Sequence, residues 1–266
     1  MIQNQIDISI FIIILFLSIA ISFLLYLGVI TGVIKRKKGM EKGLVTDRFP
    51  DLARSLYNPA LMWDSVYLKT SGKDVKVPFP VLRWWDLKEI GGDKILSHLQ
   101  SQFLETFSKE LKGSRIYTGS LLALFFLEEI QSELNKLNAT IEIYNPTNPS
   151  PPANKVVLYD NAIGTGRTLF SSASRILQFE HSLHCVLALV FNDFVPPQLR
   201  DEIWSGLGVD IKFLYTASHL AHDWPEEYQD IALALLTVQD AWNGLLDWND
   251  VKVRGAIRSL GKVLQT

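Results

Sequence analysis

The chain has 266 residues, with 26 basic and 28 acidic side chains and a formal net charge of −2. This length suffices for one large domain or for a domain with appendages, and the balanced charge gives no reason to expect nucleic acid as a partner. The single cysteine, Cys185, excludes an intrachain disulfide and suits a reducing compartment, and no Cys/His spacing resembles a zinc site.

The N-terminal region is far more apolar than the rest of the chain. Residues 8–34 are a run of 27 residues without a charge, dominated by Ile, Leu and Phe. As a helix this run would extend about 40 Å, enough to cross a hydrocarbon core of roughly 30 Å. A secretory signal peptide is the alternative, but the basic start and the small-residue cleavage site that it requires are missing. We therefore predict one transmembrane helix within residues 1–34, with residues 8–34 in contact with membrane lipid.

A basic flank follows the apolar run. Residues 35–38 read Lys-Arg-Lys-Lys and begin a juxtamembrane linker that extends to residue 50. Because cytoplasmic flanks are enriched in basic residues, this cluster predicts a single-pass membrane protein whose C-terminal domain is cytoplasmic. Gly28 and Gly32 form a Gly-x-x-x-Gly pair, which would let two spans pack closely as a homodimer, although glycines are common in membrane helices in any case.

Residues 51–92 are rich in aromatic residues and prolines. Within them, alternating apolar residues on both sides of a Thr-Ser-Gly-Lys turn predict a β-hairpin. From Asp93 the pattern becomes helical, because apolar residues recur at intervals of three and four and Gly113 supplies a stop. The apolar positions are Leu96, Leu99, Phe103, Phe107 and Leu111.

Strand and helix patterns alternate further along the chain. The predicted strands are residues 114–118, 140–145, 155–161, 184–193 and 209–217, and an apolar helix is expected from about 121 to 137. This alternation predicts an α/β fold, a three-layer α/β/α arrangement around a mostly parallel sheet. We place its core at residues 93–220, preceded by one transmembrane helix and followed by a helical tail at 221–266.

Residues 155–172, KVVLYDNAIGTGRTLFSS, carry the clearest functional signal. A strand is expected to end at Asp160 and a helix to begin near Arg167 or Thr168, where ligands of open parallel sheets bind. Gly164 and Gly166 would let backbone N–H groups surround an anion, and the neighbouring Thr and Arg side chains could add hydrogen bonds and charge. The Walker pattern and the Gly-x-Gly-x-x-Gly fingerprint are both absent.

The run from Val156 to Leu169 instead resembles the signature of the type I phosphoribosyltransferases. In that family an apolar strand leads to two acidic residues and then to a Thr-Gly-x-Thr loop. The resemblance implies an enzyme that binds phosphoribosyl pyrophosphate with Mg²⁺ and transfers the ribosyl phosphate to a base, releasing pyrophosphate. It also implies catalytic positions at Asp160 and Asn161, a metal contact at Asp160, and a 5′-phosphate loop of Ile163, Gly164, Thr165, Gly166, Arg167 and Thr168.

The same resemblance implies a second loop, whose backbone holds pyrophosphate after the first core strand. Its expected counterpart is the turn formed by Tyr117, Thr118, Gly119 and Ser120. The alternative is Leu111-Lys112-Gly113, which ranks second because the residues before it have a helical pattern.

Three features depart from the family pattern. Asn161 stands in place of the second acid and brings no negative charge to Mg²⁺ or to a cationic transition state. Gly164 stands where some members have an Asp. The loop 146–154 is too short for a large lid, so the segment 51–92 is a candidate hood. Two hypotheses follow: an active transferase, and a non-catalytic module that senses phosphoribosyl pyrophosphate or a nucleotide, as in a regulatory or defence effector.

One further cluster is visible in the sequence. His219, His222 and Asp223 follow the last predicted strand and could bind a metal ion or a base, although such residues are more often on the surface.

Overall fold

The computed structural model describes residues 51–53, 62–70, 73–81, 87–145, 147, 150–199 and 208–263. All of them belong to one compact unit, Gly43–Thr266. The predicted transmembrane helix within residues 1–34 and the linker 35–50 lie outside the described residues. In the part of the chain that is described, no helix is long and apolar enough to span a bilayer.

The predicted hairpin is confirmed. Strand β1 (Met62–Thr70) pairs antiparallel with β2 (Lys73–Val81), and Val66 lies opposite Val77. The two strands form a sheet of their own, and among the described strands neither has a second neighbour, so the prolines of β2 are tolerated.

Helix α1 (Leu87–Leu111) is bent at Gly92, which has φ 66° and therefore a left-handed backbone that favours glycine. The regular helix that follows confirms the predicted apolar stripe. Its five predicted positions, Leu96, Leu99, Phe103, Phe107 and Leu111, are all buried.

Strand β3 (Arg115–Thr118) leads into two short helices and a short edge strand, β4 (Thr140–Ile141). The helix that was expected to continue to residue 137 is interrupted at Ile130, which separates α2 (Leu121–Glu129) from α3 (Gln131–Lys136). The strand predicted over residues 140–145 is longer than the strand observed, which ends at Ile141. Beyond Ile141 the pairing ends with one hydrogen bond, from the Glu142 N–H to the Ile116 carbonyl over 2.8 Å, and Ile143 is exposed to solvent.

Three longer strands complete the main sheet. They are β5 (Val156–Ile163), β6 (Cys185–Phe191) and β7 (Asp210–Thr216), with α4 (Arg167–Ile176) between β5 and β6. The sheet order is β4-β3-β5-β6-β7, and every pair is parallel. The expected end of β5 at Asp160 was wrong, since Ala162 and Ile163 still pair with β6.

Helices cover both faces of this sheet. Tyr159 packs edge-on against Phe103 of α1 and stacks with Phe126 of α2. Tyr117 points to the other face, where it lies near Ile176 of α4. The predicted α/β class with three layers is therefore confirmed for the described residues.

The helical tail is also confirmed. Within the predicted range 221–266 it consists of a 3₁₀ turn (Glu226–Tyr228), α6 (Gln229–Trp242) and α7 (Val251–Val263), and a short helix, α5 (Ala217–Ala221), precedes it at the end of the predicted core. Helix α7 packs against α6 and contacts β2 of the hairpin. The tail thus connects the two sheets of the domain.

Candidate functional site

The site is centred on Asp160, which lies in β5 next to the end of β3. Thr118, the last residue of β3, is in register with Tyr159, so the turn after β3 continues alongside Asp160. The Gly119 N–H donates to the Tyr159 carbonyl over 2.9 Å. Oδ1 of Asp160 accepts from the Ser120 hydroxyl over 3.1 Å and from the Asn161 N–H over 2.9 Å. The structure therefore brings the predicted turn 117–120 into direct contact with Asp160.

Gly119 has no room for a side chain. A Cβ at this position would lie 2.9 Å from Oδ2 of Asp160, closer than real Cβ atoms approach such an atom. The close approach of this turn to the carboxyl group thus depends on glycine. By contrast, the alternative loop 111–113 lies before β3, at the opposite end of the strand, where the Gly113 N–H donates to the Leu137 carbonyl.

Burial raises the pKa of the Asp160 carboxyl to about 6. The hydrogen bonds from Ser120 and from the Asn161 N–H lower the pKa but do not offset the desolvation. No cationic side chain of the described residues contributes to this pKa. A ligand that donates hydrogen bonds or brings positive charge would therefore stabilise the ionised carboxylate.

The loop between β5 and α4 begins after Ile163, the third residue beyond Asp160. Gly166 is the N-cap of α4, with φ 81°, and no side chain caps the helix. A methyl group added at Gly164 would have no neighbouring atom within 4 Å, and the side chains of Arg167 and Thr168 are exposed. A helix N-terminus whose first N–H groups have no side-chain cap is suited to binding an anion.

Two of the predicted site residues point elsewhere. The Asn161 side chain is buried, and its Oδ1 accepts from the Tyr159 hydroxyl over 2.7 Å, on the face of the sheet opposite to Asp160. Ile163 is the last residue of β5, and its side chain is also buried. Only the Ile163 backbone could take part in binding at the loop.

Further polar residues lie at the carboxyl ends of β6 and β7, and the sequence reasoning missed them. Asn192 Nδ2 donates to the Pro80 carbonyl of the hairpin over 2.8 Å, while its buried Oδ1 has no hydrogen-bond partner in the part of the chain that the structure describes. Asp193 accepts from the Ser218 N–H over 2.8 Å and from Gln239 Nε2 over 2.6 Å, and burial raises its pKa. The signal in the sequence was an Asn-Asp pair directly after a continuous apolar strand.

The predicted His/Asp cluster does not form a metal site. Over the described ranges, no group of three or more His, Cys, Asp or Glu side chains could hold a metal ion. His219 has a buried Nε2 without a hydrogen-bond partner among the described residues, and His222 is exposed.

The fold and this site define an α/β domain with a parallel five-stranded sheet, an acidic residue on β5 and a glycine-containing loop at a helix N-terminus. No protein-family model and no curated protein matches the chain. Among solved structures, the orotate phosphoribosyltransferase from Aeropyrum pernix is similar at 17% identity and a TM-score of 0.44, over 64% of this chain and 97% of that one.

Two other solved structures are similar over comparable parts of the chain. The UMP synthase of Leishmania donovani is 13% identical with a TM-score of 0.46, over 80% of this chain and 43% of that one. The adenine phosphoribosyl transferase of Trypanosoma brucei, solved with AMP, pyrophosphate and ribose-5-phosphate, is 14% identical with a TM-score of 0.39, over 61% of this chain and 78% of that one. Likenesses this distant carry no information on the substrate or activity of the present chain.

Proposed function

We propose that this domain binds a ribose 5-phosphate compound, either phosphoribosyl pyrophosphate or a nucleotide. The observation that carries the proposal is the position of Asp160, between the turn 117–120 on β3 and the loop 164–168 at the N-terminus of α4. One carboxyl group thus lies beside two backbone loops at the carboxyl end of a parallel sheet, where sugar and phosphate groups would find complementary partners.

Each part of the site has a role in this proposal. The Asp160 carboxylate accepts hydrogen bonds from the ribose hydroxyls. The backbone N–H groups of 163–168, with the Thr165 and Thr168 hydroxyls and the Arg167 charge, hold the 5′-phosphate. The turn from Tyr117 to Ser120 holds pyrophosphate through its backbone, because the Tyr117 hydroxyl is already engaged with Glu180. Gly119 lets that turn approach the Asp160 carboxyl group closely.

The Asp160 carboxyl group suits a magnesium ion that enters the site bound to the phosphates of the substrate. Oδ1 of Asp160 accepts two hydrogen bonds, whereas Oδ2 accepts none from the residues that the structure describes, so one carboxylate oxygen could serve as a ligand. Magnesium is commonly held by one or two carboxylates together with substrate phosphates. Asp160 would hold the ion, which would supply charge neutralisation to the pyrophosphate group.

The reaction that we propose is transfer of the phosphoribosyl group to a base with release of pyrophosphate. The hairpin β1–β2 is the candidate hood over the base, and the hydrogen bond from Asn192 to Pro80 supports this because it ties β2 to the carboxyl end of β6. The second candidate is a non-catalytic sensing module. It is favoured by Asn161, whose neutral side chain points into the core.

We also propose that residues 8–34 anchor the protein in a membrane as a single pass, with the C-terminal domain in the cytoplasm. The support is the 27-residue uncharged run and the basic residues 35–38 that follow it. Homodimerisation through Gly28 and Gly32 is part of the same proposal. Protease added outside intact cells should then leave the C-terminal domain uncut.

The test uses the purified full-length protein with phosphoribosyl pyrophosphate, Mg²⁺ and a panel of bases. Pyrophosphate release would identify a transferase, and binding without turnover would identify a sensor. Asp160→Asn should abolish either property, while Asp210→Asn, at the exposed amino end of β7, should change neither. Failure to bind any sugar phosphate, with or without Mg²⁺, would contradict both candidates.

A further inference from the structure

Helix α7 has a buried apolar face and a solvent-exposed basic face. Val253, Ala256 and Leu260 are buried against the rest of the domain. On the other side, Arg254 and Arg258 are exposed, as is Lys262. The helix sequence, VKVRGAIRSLGKV, contains four basic residues and no acidic residue.

The exposed basic residues form one continuous stripe. At 3.6 residues per turn, Arg254, Arg258 and Lys262 lie on one side of the helix within roughly 80°, opposite the buried face. Val251, which is 77% exposed, begins the same stripe at the start of the helix. From Arg254 to Lys262 the stripe extends about 12 Å.

These charges are not neutralised within the domain. Several other lysines form ion pairs, among them Lys136 with Glu133 and Lys212 with Glu110. Arg254, Arg258 and Lys262, by contrast, form no ion pair or side-chain hydrogen bond with any residue in the described part of the chain. Because like charges at i and i+4 repel, the stripe weakens the isolated helix slightly, and an external anion would remove that repulsion.

We propose that this stripe, Val251, Arg254, Arg258 and Lys262, is a docking surface for an anionic lipid bilayer. The apolar face of α7 is already occupied by the domain, so the helix would bind by charge at the level of the lipid headgroups rather than by insertion. The exposed Val251 adds an apolar contact at one end.

A bilayer fits this surface better than a nucleic acid does. The chain as a whole has a net charge of −2, and the stripe carries only three basic residues over about 12 Å, so it could neutralise only about three phosphates of a nucleic acid. The same chain carries an uncharged run of 27 residues and a second basic cluster at 35–38, a composition typical of a protein held next to a bilayer. The proposal draws on the membrane anchor proposed for residues 8–34 and does not depend on the ligand of the Asp160 site.

The test places a fluorescent label on α7 and measures its distance from lipid headgroups. Ser259 is exposed between Arg258 and Lys262, and Ser259→Cys offers a site for labelling. The native Cys185 is 2% exposed, and burial raises its thiol pKa to about 12, so a maleimide at about pH 7.5 should spare it. The labelled full chain is reconstituted into two kinds of vesicle, one of neutral lipid and one with about 30% phosphatidylserine. In both, some lipid headgroups carry a fluorophore that accepts energy from the label.

Energy transfer should rise about twofold or more in the anionic vesicles and return to the neutral value in about 0.5 M salt. The triple variant R254E/R258E/K262E should show no increase in energy transfer in the anionic vesicles, because each basic residue contributes about fivefold to binding at an anionic surface. The matched variant K76E/K109E/R175E carries the same change in net charge on scattered exposed positions and should keep it.

Two results would overturn the proposal. The first is equal energy transfer in neutral and anionic vesicles, which would leave the stripe as a solvated face. The second is a response of the label to a short RNA without a response to anionic lipid, which would assign the stripe to nucleic acid. Circular dichroism of each variant checks that the fold is intact.

Discussion

The Ser120 hydroxyl donates a hydrogen bond to Oδ1 of Asp160 over 3.1 Å, although the two residues lie 40 positions apart in the chain. The same hydroxyl accepts from the Ala123 N–H over 3.2 Å and thereby caps helix α2. Ser120 therefore links the N-terminus of a helix to the acidic residue at the centre of the site. Any ligand that competes for Asp160 also changes the environment of this helix cap.

The carboxyl group of Asp160 should reduce the stability of the free protein at neutral pH. Burial raises its pKa from 3.8 to about 6, so the native state binds a proton more tightly than the unfolded state does. The contribution of this carboxyl group to the free energy of unfolding is therefore largest below pH 4. It falls by about 3 kcal/mol in total as the pH rises through 4 to 6 and beyond. Asp160→Asn should restore most of the lost unfolding free energy at pH 7 and should restore none below about pH 4, where the carboxyl group is protonated in both states.

The measurement is urea unfolding of the wild type and of Asp160→Asn between about pH 3.5 and pH 7.5. Only the difference between the two proteins is used, because other groups titrate in both. A difference that does not change with pH would contradict the raised pKa of Asp160.

Ligand affinity should have the opposite dependence on pH. Ribose hydroxyls or Mg²⁺ need the ionised carboxylate, so affinity should rise as the pH increases through about 6 and then level off. Isothermal titration with phosphoribosyl pyrophosphate across this range measures the effect, with correction for protonation of the ligand itself. An affinity that becomes higher as the pH is lowered below 6 would argue against a direct contact between the ligand and Asp160.

Gly119→Ala should disturb the site. The new methyl group would lie 2.9 Å from Oδ2 of Asp160, so the turn or the carboxyl group must move, at a cost of about 1–3 kcal/mol in unfolding free energy. Sugar phosphate affinity should fall about tenfold or more, since a displacement of this size disrupts positioned groups.

Gly261→Ala is the matched control, because nothing lies within 4 Å of its added methyl group and the residue is helical. It should be neutral or stabilise the protein by up to about 1 kcal/mol. Equal effects of the two substitutions on affinity would show that the contact with Asp160 is unimportant.

Glu180→Gln should destabilise the edge of the sheet. The buried Glu180 carboxylate accepts from Arg115 over 2.8 Å, from the Tyr117 hydroxyl over 2.9 Å and from the Ala153 N–H over 2.7 Å. Removing its charge leaves Arg115 without an anionic partner, at a cost of about 3 kcal/mol. The exposed pair of Glu133 and Lys136 provides the control, and Glu133→Gln should leave the unfolding free energy nearly unchanged, because solvent screens an exposed ion pair.

The same substitution should change the titration of Tyr117. Burial and the Glu180 carboxylate raise the pKa of this phenol to about 12. In Glu180→Gln the contribution of the carboxylate disappears, so the phenol should ionise at a lower pH, as followed by ultraviolet absorbance. An unchanged titration would show that burial alone sets the pKa.

Asn192→Ala should loosen the β1–β2 hairpin. The substitution removes the donor to the Pro80 carbonyl and should cost about 1–2 kcal/mol. Hydrogen exchange over residues 62–81 should become faster, whereas Asn135→Ala on the exposed side of α3 should leave it unchanged. Equal protection of the hairpin in both variants would show that this hydrogen bond does not anchor it.

The sequence by itself determined the elements whose residues interact locally. The spacing of Leu96, Leu99 and Phe103 predicted the buried face of α1, and alternating residues around residue 71 predicted the hairpin. The motif from Asp160 to Thr168 predicted a strand, a glycine loop and the start of a helix near Arg167 or Thr168, and the helix begins at Arg167. These features follow from helical and strand periodicity and from glycine conformation, which act within a few residues.

Only the tertiary structure decided which of these residues meet. Strand order places β3 beside β5, and this brings Gly119 and Ser120 to Asp160. Pairing with β6 extends β5 to Ile163, and the alternation of side chains along β5 turns Asn161 into the core, away from its neighbour Asp160. These outcomes depend on hydrogen bonds and packing between distant segments, and no local pattern in the chain encodes which strands become neighbours.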